Sequence, residues 1–262
     1  MDYETIIFKK EAGVGTIILD RPDQLNSLNR AMVQELKDII ERIKTDKEVK
    51  VLVITGQGKG FCSGGDIGLL EELTSISPAQ SRLFFREIHR IYLSLREMDQ
   101  PVIAAVNGHA VGAGCDFALA CDIRIASDRA KMGAIYTSLG YVPDVGATYF
   151  FPRLVGIAKA CELIFTGDII DAREAERIGL INKAVPHDQF EKEVKKLALR
   201  LAKGSGLAIA MAKNAIYRGL NLDLATELDY EGYLASVSLH TEDLREGLDA
   251  FFQKREPNFK GK

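Results

Sequence analysis

Two glycine-rich loops, each directly after a short apolar segment, constrain the fold of this chain more than any other feature. The first loop, residues 56–67 (GQGKGFCSGGDI), follows the apolar residues 51–55, and the second, residues 107–122 (NGHAVGAGCDFALACD), follows residues 102–106. Short, wholly apolar runs are typical of strands buried on both faces of a sheet. Glycine lets the backbone turn sharply and approach other groups closely. The pattern predicts an α/β fold with a tight loop after each of two buried strands.

Nucleotide-binding and hydrolase motifs do not match the first loop. A dinucleotide fingerprint needs G-x-G-x-x-G, but the sixth position counted from Gly56 is Phe61. The phosphate-binding pattern G-x-x-x-x-G-K-[ST] does not occur in the chain. A G-x-S-x-G elbow around Ser63 fails because Phe61 occupies the position of the first glycine. We therefore interpret the loop as one whose backbone comes close to another group, or as an ordinary connecting turn.

The second loop enters a helix through three small residues, Gly112, Ala113 and Gly114. Small side chains leave the first N–H groups of a helix uncovered, and these groups attract anions. One amide from each loop, aimed at the same oxygen, would form an oxyanion hole. The sequence does not show whether the two loops meet in space.

The order of elements indicates a repeated unit followed by helices. Residues 4–9 and 16–20 predict a hairpin with its turn at Gly13 and Gly15, and Asn29 is a candidate cap for the next helix. Strand, strand and helix then alternate, and the pattern is helical from Phe190 onward. We expect an α/β core over residues 1–200 and a C-terminal helical region over residues 201–262.

Composition excludes several classes of protein. The 262 residues carry 34 basic and 37 acidic side chains, a net charge of -3, which argues against bulk attraction to nucleic acid. The longest apolar run, from Pro101, contains Asn107, His109 and Asp116, so we expect no membrane span. Four cysteines form no CxxC pair and no zinc pattern. These features predict reduced thiols, no metal site and a cytoplasmic location.

The chain resembles the enoyl-CoA hydratase/isomerase (crotonase) family over its whole length. Six segments in family order carry the resemblance: residues 21–29 (RPDQLNSLN), 51–67, 101–127, 139–156 (LGYVPDVGATYFFPRLVG), 162–185 and the ending FFQKREPNF. The resemblance implies a spiral of strand-strand-helix turns with a C-terminal helical trimerisation region, assembled as a homotrimer or as a hexamer of two trimers. It also implies an acyl-CoA thioester as the substrate, without a separate cofactor.

The resemblance further implies roles for individual residues. The backbone amides of Gly65 and Ala113 would hold the thioester oxygen as it becomes an enolate. Contacts to the substrate and its CoA part would come from the positions that match the family's binding segments, namely Gln24, Leu25, Ser63, Gly64, Asp66, Ile67, Gly112 and Tyr136. Asp66 has an equally simple alternative role as the cap of the following helix.

The acidic residues at the matching family positions indicate which reaction to expect. Typical hydratases of the family use two glutamates, and the matching positions here are Asp116 and Tyr136. A phenol is a poor general base at neutral pH, so ordinary hydration is in doubt. Asp116 would lie in the first turn of a helix, where the helix dipole favours its ionised form without any catalytic role. Tyr136 fits the wall of the pocket.

Asp144 lies at the position where isomerases of the family carry an aspartate. Isomerisation needs one carboxylate, which removes a proton at one carbon and returns it at another. Tyr141, Val142 and Val145 would make the surroundings apolar and raise the pKa of this base. The alternative is that Asp144 caps the helix that starts near Gly146.

We therefore expect an enoyl-CoA or ring-acyl-CoA isomerase that uses Asp144 as its base, with Asp116 as a second catalytic or orienting acid. The alternatives are an enoyl-CoA hydratase in which Asp116 and Asp144 share a water, a dienoyl-CoA isomerase, and a non-catalytic CoA-binding protein.

Overall fold

A computed structural model describes residues 3–262 and begins with a hairpin. Strands β1 (Ile6–Glu11) and β2 (Val14–Leu19) pair antiparallel around Ala12 and Gly13, whose φ angles are 50° and 80°. Two positive φ values are typical of the tight turns that match strand twist. The predicted hairpin is confirmed, but its turn does not include Gly15. That glycine lies inside β2, where an added methyl would come within 2.9 Å of the Val49 side chain.

The following strands come in pairs. They are β3 (Val51–Gly56) and β4 (Gly60–Cys62), β5 (Val102–Val106) and β6 (His109–Val111), β7 (Ile123–Ser127) and β8 (Lys131–Gly133), β9 (Ile170–Asp171) and β10 (Lys183–Val185). Each of these four pairs gives one strand to a six-stranded sheet and the other to a four-stranded sheet. The strand orders are β1-β2-β3-β5-β7-β10 and β4-β6-β8-β9. This back-and-forth path is the strand-strand-helix repeat expected from the sequence.

Eleven helices complete the described part of the chain. They are α1 (Arg30–Thr45), α2 (Ile67–Thr74), α3 (Pro78–Glu97), α4 (Ala113–Ala120), α5 (Ala147–Val155), α6 (Ile157–Thr166), α7 (Ala172–Arg177), α8 (Phe190–Ala202), α9 (Gly206–Gly219), α10 (Leu224–Ser238) and α11 (Glu242–Gln253). Asn29 caps α1 by accepting the Met32 N–H at 2.9 Å, as predicted. The apolar face of α1, including Leu36 and Ile40, lies in the main core.

The smaller sheet positions the two glycine-rich loops. Strands β4, β6 and β8 run parallel, so their carboxyl ends meet at one edge of that sheet. The loop after β4 leads to α2, and Gly112 after β6 leads directly into α4. Both helix starts therefore lie side by side.

The C-terminal helices differ in how they are buried. Helix α8 packs Val194 and Ala198 against the outer face of the larger sheet, and the predicted domain boundary at residue 200 falls inside this helix. The division into two domains stays a prediction. Helix α10 buries none of its side chains and exposes Leu224, Leu228 and Tyr233.

Candidate active site

The two glycine-rich loops meet in the structure. A methyl group placed on Gly64, whose φ is 96°, would lie 3.0 Å from the Val111 carbonyl oxygen and 3.4 Å from the Ala113 nitrogen. Only glycine fits such a contact at a positive φ. The meeting of the loops, which the sequence left open, is therefore a feature of the fold.

The backbone N–H groups of Gly65 and Ala113 take no part in the hydrogen bonds of the bridge to Leu28 and of helix α4, respectively. The bridge between Leu28 and Gly65 uses the Gly64 carbonyl at 2.8 Å and the Asp66 N–H at 3.0 Å, so the Gly65 N–H takes no part in it. Ala113 is the first residue of α4, and a first N–H has no acceptor within its own helix. The buried Tyr92 hydroxyl donates to the Ala113 carbonyl at 2.8 Å and holds this peptide from α3. The N–H groups of Gly65 and Ala113 therefore belong to two loops that contact each other at Gly64.

Several predicted CoA-contacting residues lie beside these amides. The Ser63 N–H donates to the Leu25 carbonyl at 3.0 Å, and the Ser63 hydroxyl donates to the Gln24 carbonyl at 3.2 Å. Leu25 has a φ of 48°, which turns the chain at this contact. Ile67, at the start of α2, is 75% exposed. The structure brings Gln24, Leu25, Ser63 and Gly64 together at one end of the site.

Asp66 is the cap of α2. One carboxylate oxygen accepts the Gly68 N–H at 3.0 Å, and the other accepts from Arg21 at 2.9 Å and from the Ser27 hydroxyl at 3.1 Å. Partial burial opposes ionisation, but these donors outweigh it and lower the pKa of Asp66. The capping role that the sequence offered as an alternative is confirmed, and a contact with CoA stays a prediction.

Asp116 is fully buried in the first turn of α4. Its Oδ2 accepts from the Tyr136 hydroxyl at 2.7 Å and from the Ala147 N–H at 3.0 Å. Its Oδ1 is buried and accepts no hydrogen bond from residues 3–262. Burial raises the pKa of Asp116 to about 7, and the charge of Asp144 adds to the rise. The helix start is expected to favour the ionised form, but burial acts in the opposite direction and raises the pKa.

Asp144 lies in the turn before α5 and does not cap that helix. Gly146, with a φ of 119°, occupies the cap position, and no side chain caps the first turn. The Asp144 Oδ2 accepts from the Tyr141 hydroxyl at 3.2 Å, whereas the buried Oδ1 has no donor among the described residues. Burial raises the pKa of Asp144, as the sequence predicts. The alternative role as a helix cap is wrong.

His89 and Tyr92 also belong to this region, although the sequence gave them no role. The His89 Nε2 lies 2.7 Å from the Asp144 carbonyl oxygen, which can only accept, so this nitrogen carries the proton. The position of His89 on helix α3 does not predict this contact, because Asp144 is 55 residues away in the chain.

A cavity of about 760 Å³ opens beside Asp144. Tyr92, Val145, Phe150 and Tyr217 give it an aromatic and apolar wall. Tyr217 comes from α9, which is fixed to the core because the Lys213 ammonium binds the Asp122 carboxylate at 2.9 Å. The cavity is large enough for a small acyl group and lies next to one of the two unpaired carboxyl oxygens.

Neither a metal centre nor a membrane span is found in residues 3–262. The His, Cys, Asp and Glu side chains of this range form no group of three or more that could hold a metal ion. None of the helices in the same range combines the length and apolar character needed to cross a bilayer.

The meeting of the two loops, the buried carboxyl groups of Asp116 and Asp144 and the cavity beside Asp144 mark this region as the candidate active site. The chain belongs to the enoyl-CoA hydratase/isomerase family, whose sequence model matches residues 9–262. It has the crotonase fold of that family.

The relatives of this chain match it from end to end. A crotonyl-CoA hydratase of Syntrophomonas wolfei is 38% identical and covers 99% of both chains. A short-chain-enoyl-CoA hydratase of Clostridium acetobutylicum is 38% identical over 97% of both. The solved structure of an enoyl-CoA hydratase from Bacillus anthracis has a TM-score of 0.94 and 37% identity, and covers 99% of this chain and 100% of that one. All three of these proteins are named as hydratases.

Proposed function

We propose that this protein is an enoyl-CoA hydratase, which adds water across the double bond of a 2-enoyl-CoA with Asp116 and Asp144 as its acid and base. The observation that carries the proposal is the pair of buried carboxyl oxygens, Asp116 Oδ1 and Asp144 Oδ1, that accept no hydrogen bond from residues 3–262. A water needs two or more polar partners to be held in a buried site. The relatives named as hydratases support the same reaction.

The reaction follows from the groups around the pair. The N–H groups of Gly65 and Ala113 bind the thioester oxygen and stabilise the negative charge that develops there. One carboxylate takes a proton from the water while the water oxygen attacks C3. The other carboxyl group gives its proton to C2. Because burial and the charge of Asp144 raise the pKa of Asp116, we assign the proton to Asp116 as the acid and the role of base to Asp144.

Double-bond isomerisation is the second candidate. The resemblance favours it, since it matches Tyr136 to the second glutamate of hydratases and Asp144 to the aspartate of isomerases. Burial also raises the pKa of Asp144. A single carboxylate with a raised pKa can carry a proton between two carbons without any water.

Separate assays with crotonyl-CoA and with a 3-enoyl-CoA distinguish these reactions. We expect fast hydration of crotonyl-CoA and a loss of about 10²–10⁴-fold in Asp144→Asn, the usual range for a general acid or base. Fast double-bond migration without hydration contradicts the hydratase proposal. Fast hydration that Asp144→Asn leaves nearly unchanged excludes the isomerase and the role of Asp144. Tight binding of an acyl-CoA without turnover indicates a non-catalytic protein.

A homotrimer or hexamer in the cytoplasm is part of the same proposal. Support comes from exposed apolar side chains on the C-terminal helices, including Leu224, Leu228 and Phe251, and from four free cysteines. Sedimentation equilibrium measures the assembly directly, and a monomeric mass at micromolar concentration contradicts this part.

A further inference from the structure

A phenol is hydrogen-bonded to one of the two carboxyl groups. The Tyr136 hydroxyl donates to Asp116 Oδ2 at 2.7 Å, and the side chain is only 5% exposed. A phenol has one proton to donate, and its oxygen can also accept. Since the proton of Tyr136 is directed to Asp116, a hydrogen bond with Asp144 must run from a protonated Asp144 to the phenol oxygen.

The backbone holds Tyr136 next to Asp144 as well. The Tyr141 N–H donates to the Tyr136 carbonyl at 3.0 Å, and the Tyr141 hydroxyl donates to Asp144. Ala147, three residues after Asp144, donates its N–H to Asp116. The phenol of Tyr136 is close enough to Asp144 to lower the pKa of that carboxyl. Asp144, Tyr136 and Asp116 therefore lie in one cluster, in which the described hydrogen bond joins Tyr136 to Asp116 and Asp144 Oδ1 has no partner. A proton can pass along this cluster only when a protonated Asp144 donates to the phenol oxygen.

The proposed hydration leaves the two carboxyls in exchanged states. The base has gained a proton from water, and the acid has lost its proton to C2. Before the next turnover the proton must return from the first carboxyl to the second. Asp116 is fully buried, so a direct exchange with bulk water is hindered.

We propose that Tyr136 is a positioning residue that carries this proton back between turnovers, acting through Asp116 and Asp144 and not on the substrate. One carboxylic acid gives its proton to the phenol oxygen while the phenol gives its own proton to the other carboxylate. Only O–H bonds break and form, and the phenol is unchanged at the end. The inference rests on the proposed function, because isomerisation by a single carboxylate leaves no proton to be returned.

The test compares the first turnover with steady-state turnover in Tyr136→Phe, using crotonyl-CoA and rapid-quench sampling. We expect the rate of the first turnover to stay within about threefold of wild type. The value of kcat should fall at least about tenfold, approaching the smallest effects seen when a general acid or base is removed. The variant should then show a burst of one product per active site, which wild type does not show. A purely structural role would slow both phases together.

Tyr3→Phe is the matched control. The Tyr3 hydroxyl donates to Asp38 of α1 at 2.7 Å, the same length as the bond from Tyr136, and α1 contributes no residue to the cavity beside Asp144. This variant should keep the wild-type kcat and show no burst. Tyr141→Phe removes a donor from Asp144 alone, and it should change the pH profile of kcat without producing a burst.

Three results overturn the proposal. They are an unchanged kcat in Tyr136→Phe, an equal loss in its first turnover and its kcat, and a wild-type protein that does not hydrate crotonyl-CoA. Only the last result also removes the proposed function. If Tyr136→Phe does not fold, 3-fluorotyrosine at position 136 retains the size and the proton. The relay then requires kcat to change with phenol acidity while the first-turnover rate does not.

Discussion

Helices α2 and α4 both begin at the candidate site, and an aspartate lies near the start of each, yet the two aspartates are in opposite environments. Asp66 has Arg21 beside it, and both of its oxygens accept hydrogen bonds. Asp116 has no cation within hydrogen-bond distance among the described residues, and one of its oxygens has no donor. The pKa of Asp66 is lowered, whereas that of Asp116 is raised to about 7. A carboxylate with all its bonds satisfied stabilises the fold, and one left unpaired is available to a substrate or water.

Magnitudes explain why burial determines the state of Asp116. A helix dipole stabilises a charge in the first turn by about 0.3–1 kcal/mol. A rise of the pKa from 3.8 to about 7 corresponds to roughly 4 kcal/mol. Loss of hydration is therefore the larger effect, and Asp116 retains a reactive proton at a cost in stability.

Ala113→Pro gives the largest expected effect, because it removes an N–H from the start of α4 outright. Proline is tolerated at the first position of a helix, so the variant should fold. Loss of one oxyanion donor lowers kcat by about 10²–10³-fold. Ala113→Ser retains the N–H and is the matched control. A folded Ala113→Pro protein with full activity contradicts the role of this amide.

Asp116→Asn should stabilise the protein at pH 8 but not at pH 4. The unfolded chain loses this proton near pH 4 and the folded protein near pH 7, so the unfavourable contribution of Asp116 grows between these values and is complete above pH 7. We expect a gain of about 2–4 kcal/mol at pH 8, measured by urea unfolding at both pH values. A loss of stability at pH 8 would show that Asp116 is a structural carboxylate like Asp66.

Asp66→Ala should reverse the sign of that effect. Removal of the cap and of the partner of Arg21 is expected to lower the free energy of unfolding by about 1–2 kcal/mol at pH 7. Because the pKa of Asp66 is lowered in the folded state, the loss should shrink as the pH falls below 4. Asp223→Ala removes an exposed cap from α10 that accepts Thr226. An equal loss in both variants means that Arg21 adds nothing.

The sequence predicted the parts of this site that depend on local order. Apolar runs and glycines placed β3, β5 and both loops, and the small residues at 112–114 identified the free amides. The resemblance supplied Asp116 and Asp144 as candidates. These features depend on neighbouring residues or on a motif.

Partners that are distant in the chain could not be predicted. Asp66 binds Arg21 across 45 residues, and the Asp144 carbonyl binds His89 across 55. The bond from Tyr136 to Asp116 makes a predicted wall residue part of the acid pair. Such pairings depend on how α3, α4 and the turn before α5 pack, which no local pattern specifies. The direction of the pKa shift of Asp116 depends on the same packing.

The most direct test of the central claim is the rate of crotonyl-CoA hydration by Asp116→Asn at pH 8, measured on protein whose unfolding free energy is known. We predict a protein that is more stable than wild type and slower by about 10²–10⁴-fold, because the change removes a proton-transfer group and also a buried charge. Hydration within about threefold of wild type, below any general acid–base contribution, would contradict the assignment of Asp116 to the chemistry.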